Sequence, residues 1–145
     1  MSEIKLPEDL NKIAIMASEP LKGYTPDQMR EMASKYDSDE ALAAVYASVS
    51  NKIGWIGHDI GEPVNDEETN NRLKKELDGW RKLEKELYAE IVTRLQKENA
   101  EKGTTHITSG KGMWYIVKPF MERNGFRDGS RWWIDEYDKY LLTLT

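Results

Sequence analysis

An apolar stripe in the middle of the 145-residue chain limits the possible folds more than any other feature. Its residues recur at steps of three and four, which is the period of an α-helix. The stripe consists of Leu73, Leu77, Trp80, Leu83, Leu87, Ile91 and Leu95. Cap signals at residues 65–68 and a break after Lys102 predict one long helix from about residue 67 to residue 102.

This predicted helix is longer than a compact domain of the same chain. A helix over residues 67–102 has 36 residues and spans about 54 Å, whereas a compact domain of this length is about 38 Å across. The helix must therefore overhang its own domain. Either the C-terminal segment or a second copy of the chain covers the overhang, and we expect a homo-oligomer.

The apolar pattern of residues 38–60 predicts a second helix, antiparallel to the first. One face carries a core-facing stripe of Leu42, Val45, Val49, Ile53, Ile56 and Ile60. A second face is almost free of bulk and consists of Ala43, Ala47, Ser50, Gly54, Gly57 and Gly61. Because each glycine inside a helix costs up to about 1 kcal/mol, such a face indicates close approach of another group. A packed helix is the favoured partner, and a ligand groove is the alternative.

Two short helices are expected before this pair, one between Pro7 and Pro20 and one that starts at Thr25 and Pro26 and ends before Ser38. Strand-like alternation is scarce. The predicted fold is a single mainly α domain over residues 1–145, a helical bundle whose C-terminal subregion is rich in aromatic residues.

That subregion, residues 110–137, concentrates three Trp, two Tyr, two Phe and three Arg. Ser109 is the predicted cap of a helix that Pro119 should kink or split and that ends in a glycine turn at Gly125. Ser130 is the predicted cap of a last helix, and a hairpin through residues 131–134 is the alternative.

Aromatic residues at helical spacing usually form core, and this interpretation applies to Trp114, Phe120, Trp133, Tyr137 and Leu141. Other members of the segment lie off these faces, and three arginines recur every four residues. The predicted contact surface consists of Tyr115, Arg123, Phe126, Arg127, Arg131 and Trp132, with Lys111 and Lys118 as further cations.

Arginine beside aromatic rings binds phosphates and planar bases, and the same combination makes hot spots in protein interfaces. We therefore expect a non-catalytic protein that captures a small anionic ligand of nucleotide type on this surface. The alternative is an inhibitor or adaptor that binds another protein there. The size, the acidity and the lack of catalytic motifs suit the small accessory proteins of phages and mobile elements, although no motif carries this comparison.

Catalytic signals are weak. The sequence has no phosphate-binding loop of the P-loop or dinucleotide type and no nucleophile elbow. His58 and Asp59 could ligate a metal, but an isolated pair of this kind favours a helix-end histidine. Paired carboxylates, Glu98 with Glu101 and Asp135 with Asp138, leave a metal-dependent all-α nucleotide hydrolase as a minor alternative. No cofactor is expected.

Composition excludes several other classes. A net charge of −5 argues against general binding of nucleic acid, although residues 103–145 are nearly balanced with six basic and five acidic residues. No apolar run approaches the roughly 20 residues that cross a bilayer, and the start of the chain is unlike a secretion signal. The absence of cysteine suits a reducing compartment, so a cytoplasmic location without membrane association is expected.

Overall fold

A computed structural model describes residues 25–34, 38–127 and 133–134. In these residues the chain is mainly α and bundle-like, as the sequence predicted. The helices are α1 (Pro26–Ser34), α2 (Asp39–Asp59), α3 (Glu67–Lys102) and α4 (Met113–Arg123), and two short strands are β1 (Phe126–Arg127) and β2 (Trp133–Ile134). The helix expected between residues 7 and 20 lies outside the described residues.

Helices α2 and α3 form the predicted antiparallel pair. The side chain of Ser38 caps α2 by accepting a hydrogen bond from the backbone N–H of Ala41, and Asp66 caps α3 in the same way. An ion pair of 3.0 Å joins Asp39, at the start of α2, to Arg94, near the end of α3. This contact joins the start of one helix to the end of the other, as an antiparallel arrangement requires.

The core lies between these two helices and is closed by α1 and α4. On α3 the whole predicted stripe is buried except Leu73, which is half-buried, and Trp80 and Leu83 are fully enclosed. Met29 of α1 and Phe120 of α4 are also buried in this core. Helix α3 has the predicted bounds of residues 67–102, and with 36 residues it is about 54 Å long.

The small-residue face of α2 divides into two parts. Ala43, Ala47 and Ser50 are buried, as expected for a closely packed helix. Gly57 is exposed, and a Cβ added there would meet nothing within 4 Å. Gly61 lies beyond the helix, in a turn with a φ of +85°. The prediction of close packing is therefore confirmed at the first part and is wrong for Gly57 within one copy of the chain.

Helix α4 starts later than predicted. It begins at Met113 with Gly112 at the cap position, and Ser109 lies outside it in the preceding loop. Pro119 lies inside one continuous helix, so the predicted split does not occur. The helix ends as expected, because Gly125 adopts the left-handed conformation with a φ of +94°.

At residues 133–134 the chain pairs as in the alternative hairpin, whereas the prediction placed these two residues in a helix capped by Ser130. Phe126 lies opposite Ile134 and Arg127 lies opposite Trp133 in an antiparallel ladder. Aromatic and β-branched residues favour strands, and this preference explains why residues 133–134 do not continue a helical pattern. Tyr137 and Leu141 lie outside the described residues, as does Ser130.

No helix of the described part is both long enough and apolar enough to cross a membrane.

Candidate functional site

A shallow groove lies between α4 and the loop that joins it to α3. Its cavity volume is about 250 Å³. The walls are mostly apolar, with one cation and one imidazole among them. The lining residues are Leu95, Thr105, His106, Ile107, Tyr115, Ile116, Pro119, Phe120 and Arg123.

Helical spacing places the α4 side of this groove. Tyr115, Pro119 and Arg123 follow one another at steps of four residues and form its rim. Ile116 and Phe120 lie one residue further on the same turns and are buried. Tyr115 is 62% exposed, so much of this lining side chain is in contact with solvent.

Asn99 holds the opposite wall in place. Its side-chain amide donates to the backbone carbonyl of His106 at 3.0 Å, and its side-chain oxygen accepts from the backbone N–H of His106 at 2.9 Å. The same oxygen accepts from the hydroxyl of Thr104 at 2.8 Å. These bonds fold the loop back over the last turn of α3, and Ile107 is left 48% exposed at the wall.

Glu98 ties both walls of the groove to α3. Its carboxylate lies 2.8 Å from the ring of His106, and both of its oxygens accept from one nitrogen of Arg123 at 2.9 Å. The hydrogen bond with His106 is the main cause that lowers the pKa of Glu98. Desolvation, the second-largest effect, opposes it, and the hydrogen bond with Arg123 lowers the pKa further.

Arg123 is also bound to the start of α2. Its second terminal nitrogen donates to Asp39 at 3.3 Å, and its guanidinium lies 5.4 Å from the centre of the Phe120 ring. Asp39 in turn accepts from Arg94. The charge of Arg123 is therefore compensated by two carboxylates, and an anion that approached it would also face Glu98 and Asp39.

Trp114, Lys118 and Glu122 form a second stripe on α4, next to the rim of the groove. Trp114 is 43% exposed, so the prediction that it belongs to the core is wrong. The ammonium of Lys118 lies 5.7 Å from the centre of the Trp114 ring and 3.8 Å from the Glu122 carboxylate. The reason for the error is the register of α4, whose core face is set by Ile116 and Phe120.

The residues predicted to form the contact surface lie in different places. Tyr115 and Arg123 come together at the groove, Lys118 lies on the neighbouring stripe, and Lys111 is exposed before α4. Phe126 is 2% exposed and lies in the core, not on the surface as predicted, because the turn at Gly125 directs the chain back onto the bundle. The side chain of Arg127 and the whole of Arg131 and Trp132 lie outside the described residues, so their role stays a prediction.

Glu98, Asp39 and Asn99 also belong to this site, and no sequence pattern predicted them there. Glu98 lies 25 residues before Arg123, and Asp39 lies 84 residues before it. No periodicity links positions so far apart. The one available signal is the position of His106 a few residues after the end of α3, where a chain that folds back reaches the last helical turn.

The metal and hydrolase alternatives gain no support from the geometry. No group of three or more His, Asp or Glu side chains among the described residues could hold a metal ion. His58 lies 3.5 Å from Glu62 at the exposed end of α2. Glu98 is engaged by His106 and Arg123, and Glu101 lies 4.0 Å from Lys97. Asp135 and Asp138 lie outside the described residues.

Comparison with protein-family models, with curated proteins and with solved structures finds no match to this chain.

Proposed function

We propose that this protein is a non-catalytic binding protein, and that the groove receives one apolar or aromatic side chain of a partner protein. The observation that carries the proposal is the groove itself, an apolar concave site with exposed Tyr115, Trp114 and Ile107 around it. Large aromatic residues around a small desolvated pocket are typical of interface hot spots.

The size of the groove favours one ring over a whole small molecule. Sites for small molecules usually measure about 300–1,000 Å³. The groove, at about 250 Å³, lies below that range. A side chain that belongs to a larger partner can use it as an anchor while the partner covers Trp114 outside it.

The charges around the groove also favour a neutral group. Arg123 is bound to Glu98 and Asp39, and His106 is bound to Glu98. An anionic ligand would have to displace these carboxylates or share the guanidinium with them, which weakens its binding. Neutral apolar groups meet no such cost at the walls formed by Ile107 and Ile116.

Capture of a small anionic ligand of nucleotide type is the second candidate. The observation that favours it is that Tyr115, Arg123 and His106 line the same groove. A base could stack on Tyr115 while a phosphate bonds to Arg123. This candidate predicts that nucleotides quench tryptophan fluorescence, that added salt weakens the effect, and that Arg123→Ala abolishes it.

A selection from a random peptide library tests the first candidate. We expect selected peptides to carry one large apolar residue, and their affinity to fall about tenfold or more for the Ile107→Asp variant. Peptides that bind the wild type and this variant equally would contradict the proposal.

A matched pair of tryptophans provides the control. Trp114 and Trp55 are both 43% exposed, but Trp55 lies about 24 Å along α2 from Asp39 and the groove. Trp114→Ala should weaken the selected peptides, whereas Trp55→Ala should leave their affinity within about twofold. Equal losses would place the contact elsewhere.

A homo-oligomer remains part of the proposal. Its support is the open space at Gly57, beside which Trp55 is exposed. The cytoplasmic location expected from the cysteine-free sequence stays a prediction, as does the accessory role in phages or mobile elements.

A further inference from the structure

The loop before α4 and most of α4 itself carry basic residues and no acidic ones. From Lys102 to Met121 the sequence has three lysines and one histidine, and none of these 20 residues is Asp or Glu. The whole chain has a net charge of −5, so the remainder of the protein is more acidic still. Residues of this basic stretch form both walls of the groove. The groove therefore opens on a locally basic surface of an acidic protein.

Each of the two exposed aromatic residues of α4 has a lysine close by. The ammonium of Lys118 lies 5.7 Å from the centre of the Trp114 ring. Lys111 is adjacent to Gly112, where an added Cβ would meet the ring of Tyr115 at 4.0 Å. Lys111 is exposed, and within the described residues no carboxylate forms an ion pair with it. A partner that covers these rings therefore comes close to both ammonium groups.

The two ends of α4 differ in the charge that they offer to a partner. At its end, Arg123 is compensated by Glu98 and Asp39, and Glu122 is half-exposed beside them. At its start, the charge of Lys111 is not compensated in this way. A carboxylate on a partner is therefore attracted to the start of α4 and repelled by the acidic side chains at its end.

We propose that the partner segment that docks on this surface is acidic, with Asp or Glu residues next to the apolar side chain that enters the groove. The apolar side chain avoids Glu98 and Asp39 inside the groove, and the flanking carboxylates pair with Lys111 and Lys118 outside it. This inference rests on the proposed function, since it names the chemical class of the partner.

Sets of short synthetic peptides test the charge of the partner. All sets have phenylalanine, leucine or isoleucine at the centre, and they differ only in the flanking residues, which are glutamate, glutamine or lysine. Fluorescence anisotropy measures their affinity for the full-length protein. We expect the glutamate set to bind about threefold or more tightly than the glutamine set, and the lysine set to bind most weakly. Added salt should reduce this preference, because it screens exposed charges. Equal affinities of the glutamate and glutamine sets would overturn the inference.

A pair of charge-reversal variants locates the contact. Lys111→Glu and Lys75→Glu change the net charge equally, and both lysines are exposed, so both variants should keep the Tm of the wild type. Lys75 lies about 30 Å along α3 from Leu95 at the groove. We expect Lys111→Glu to weaken binding of the glutamate set about fivefold or more, and Lys75→Glu to leave it within about twofold. Equal losses would show an effect of overall charge and would contradict the proposal.

The outcomes separate this inference from the proposed function. If the glutamine set binds as tightly as the glutamate set and Ile107→Asp weakens both, the groove takes an apolar anchor and the acidic partner is refuted. If no set binds at any concentration reached, the proposed function fails, and this inference fails with it. If phosphatidylserine vesicles or single-stranded RNA bind through Lys111 and glutamate peptides do not, the surface recognises phosphate and the inference is wrong.

Discussion

Replacing Phe126 with alanine tests the distinction between core and surface on which the site depends. The sequence pattern placed this ring on a contact surface, whereas the structure buries it with 2% exposure, next to the turn at Gly125. An aromatic side chain buries about 150–250 Å², which at about 25 cal/mol per Å² is worth about 4–6 kcal/mol. Alanine keeps part of this contribution, so we expect a loss of about 3–5 kcal/mol in the free energy of unfolding.

Thermal unfolding followed by circular dichroism measures this loss. For a chain of this length each kcal/mol shifts the Tm by about 2–4 °C, so Phe126→Ala should lower it by about 6–20 °C. Tyr115→Ala is the matched control, because Tyr115 is 62% exposed and should change stability by about 0.5 kcal/mol or less. Phe126→Leu keeps most of the volume and should cost less than about 1.5 kcal/mol.

Equal shifts of the Tm for Phe126→Ala and Tyr115→Ala would refute this reasoning. That result would mean that Phe126 is accessible, and that the hairpin does not fold back onto the bundle as described. A loss of peptide binding in Phe126→Ala without a loss of stability would restore the original prediction of a contact residue.

Gly57→Ala should raise stability by about 0.5–1 kcal/mol, because Gly57 is inside α2 with open space around it. Gly103→Ala should lower stability by about 1–2 kcal/mol, because Gly103 has a φ of +69°. Urea unfolding of the two variants measures both changes. If a second copy packs on α2, Gly57→Leu should lower the mass measured by light scattering, and a monomeric wild type at high concentration would contradict that assembly. Because His106 and Arg123 lower the folded-state pKa of Glu98, the contribution of Glu98 to stability is present above its ordinary pKa of about 4.5 and is lost as the pH falls through the lower folded value. Glu98→Gln should remove this part of the dependence of stability on acid pH. An unchanged stability curve at acid pH would argue against the contacts of Glu98 with His106 and Arg123.

Local periodicity was sufficient to predict the helix pair. The stripe on α3 recurs at three- and four-residue steps over many turns, and it has only one helical face to bury. Cap chemistry set the boundaries, since Ser38 and Asp66 can each accept a backbone N–H at a helix start. These signals depend on neighbours a few residues apart, so one sequence contains them in full.

The C-terminal region could not be predicted to the same degree. Trp114 and Ile116 are two residues apart in an aromatic-rich helix, and which of them is buried depends on where α4 docks. The groove depends on Glu98, which meets Arg123 through tertiary contacts that no local pattern reveals. The sequence predicted a break in α4 at Pro119, but the helix continues through this residue because Phe120 packs against the core.

The most direct test of the binding proposal is an isotope-filtered nuclear Overhauser experiment on a complex of the full-length protein with a selected peptide. If the groove receives the partner's anchor, ring protons of one peptide side chain should show contacts to the methyl groups of Ile107, Ile116 and Leu95, which line the groove together. Contacts confined to other surfaces, such as the region around Trp55, would contradict the account.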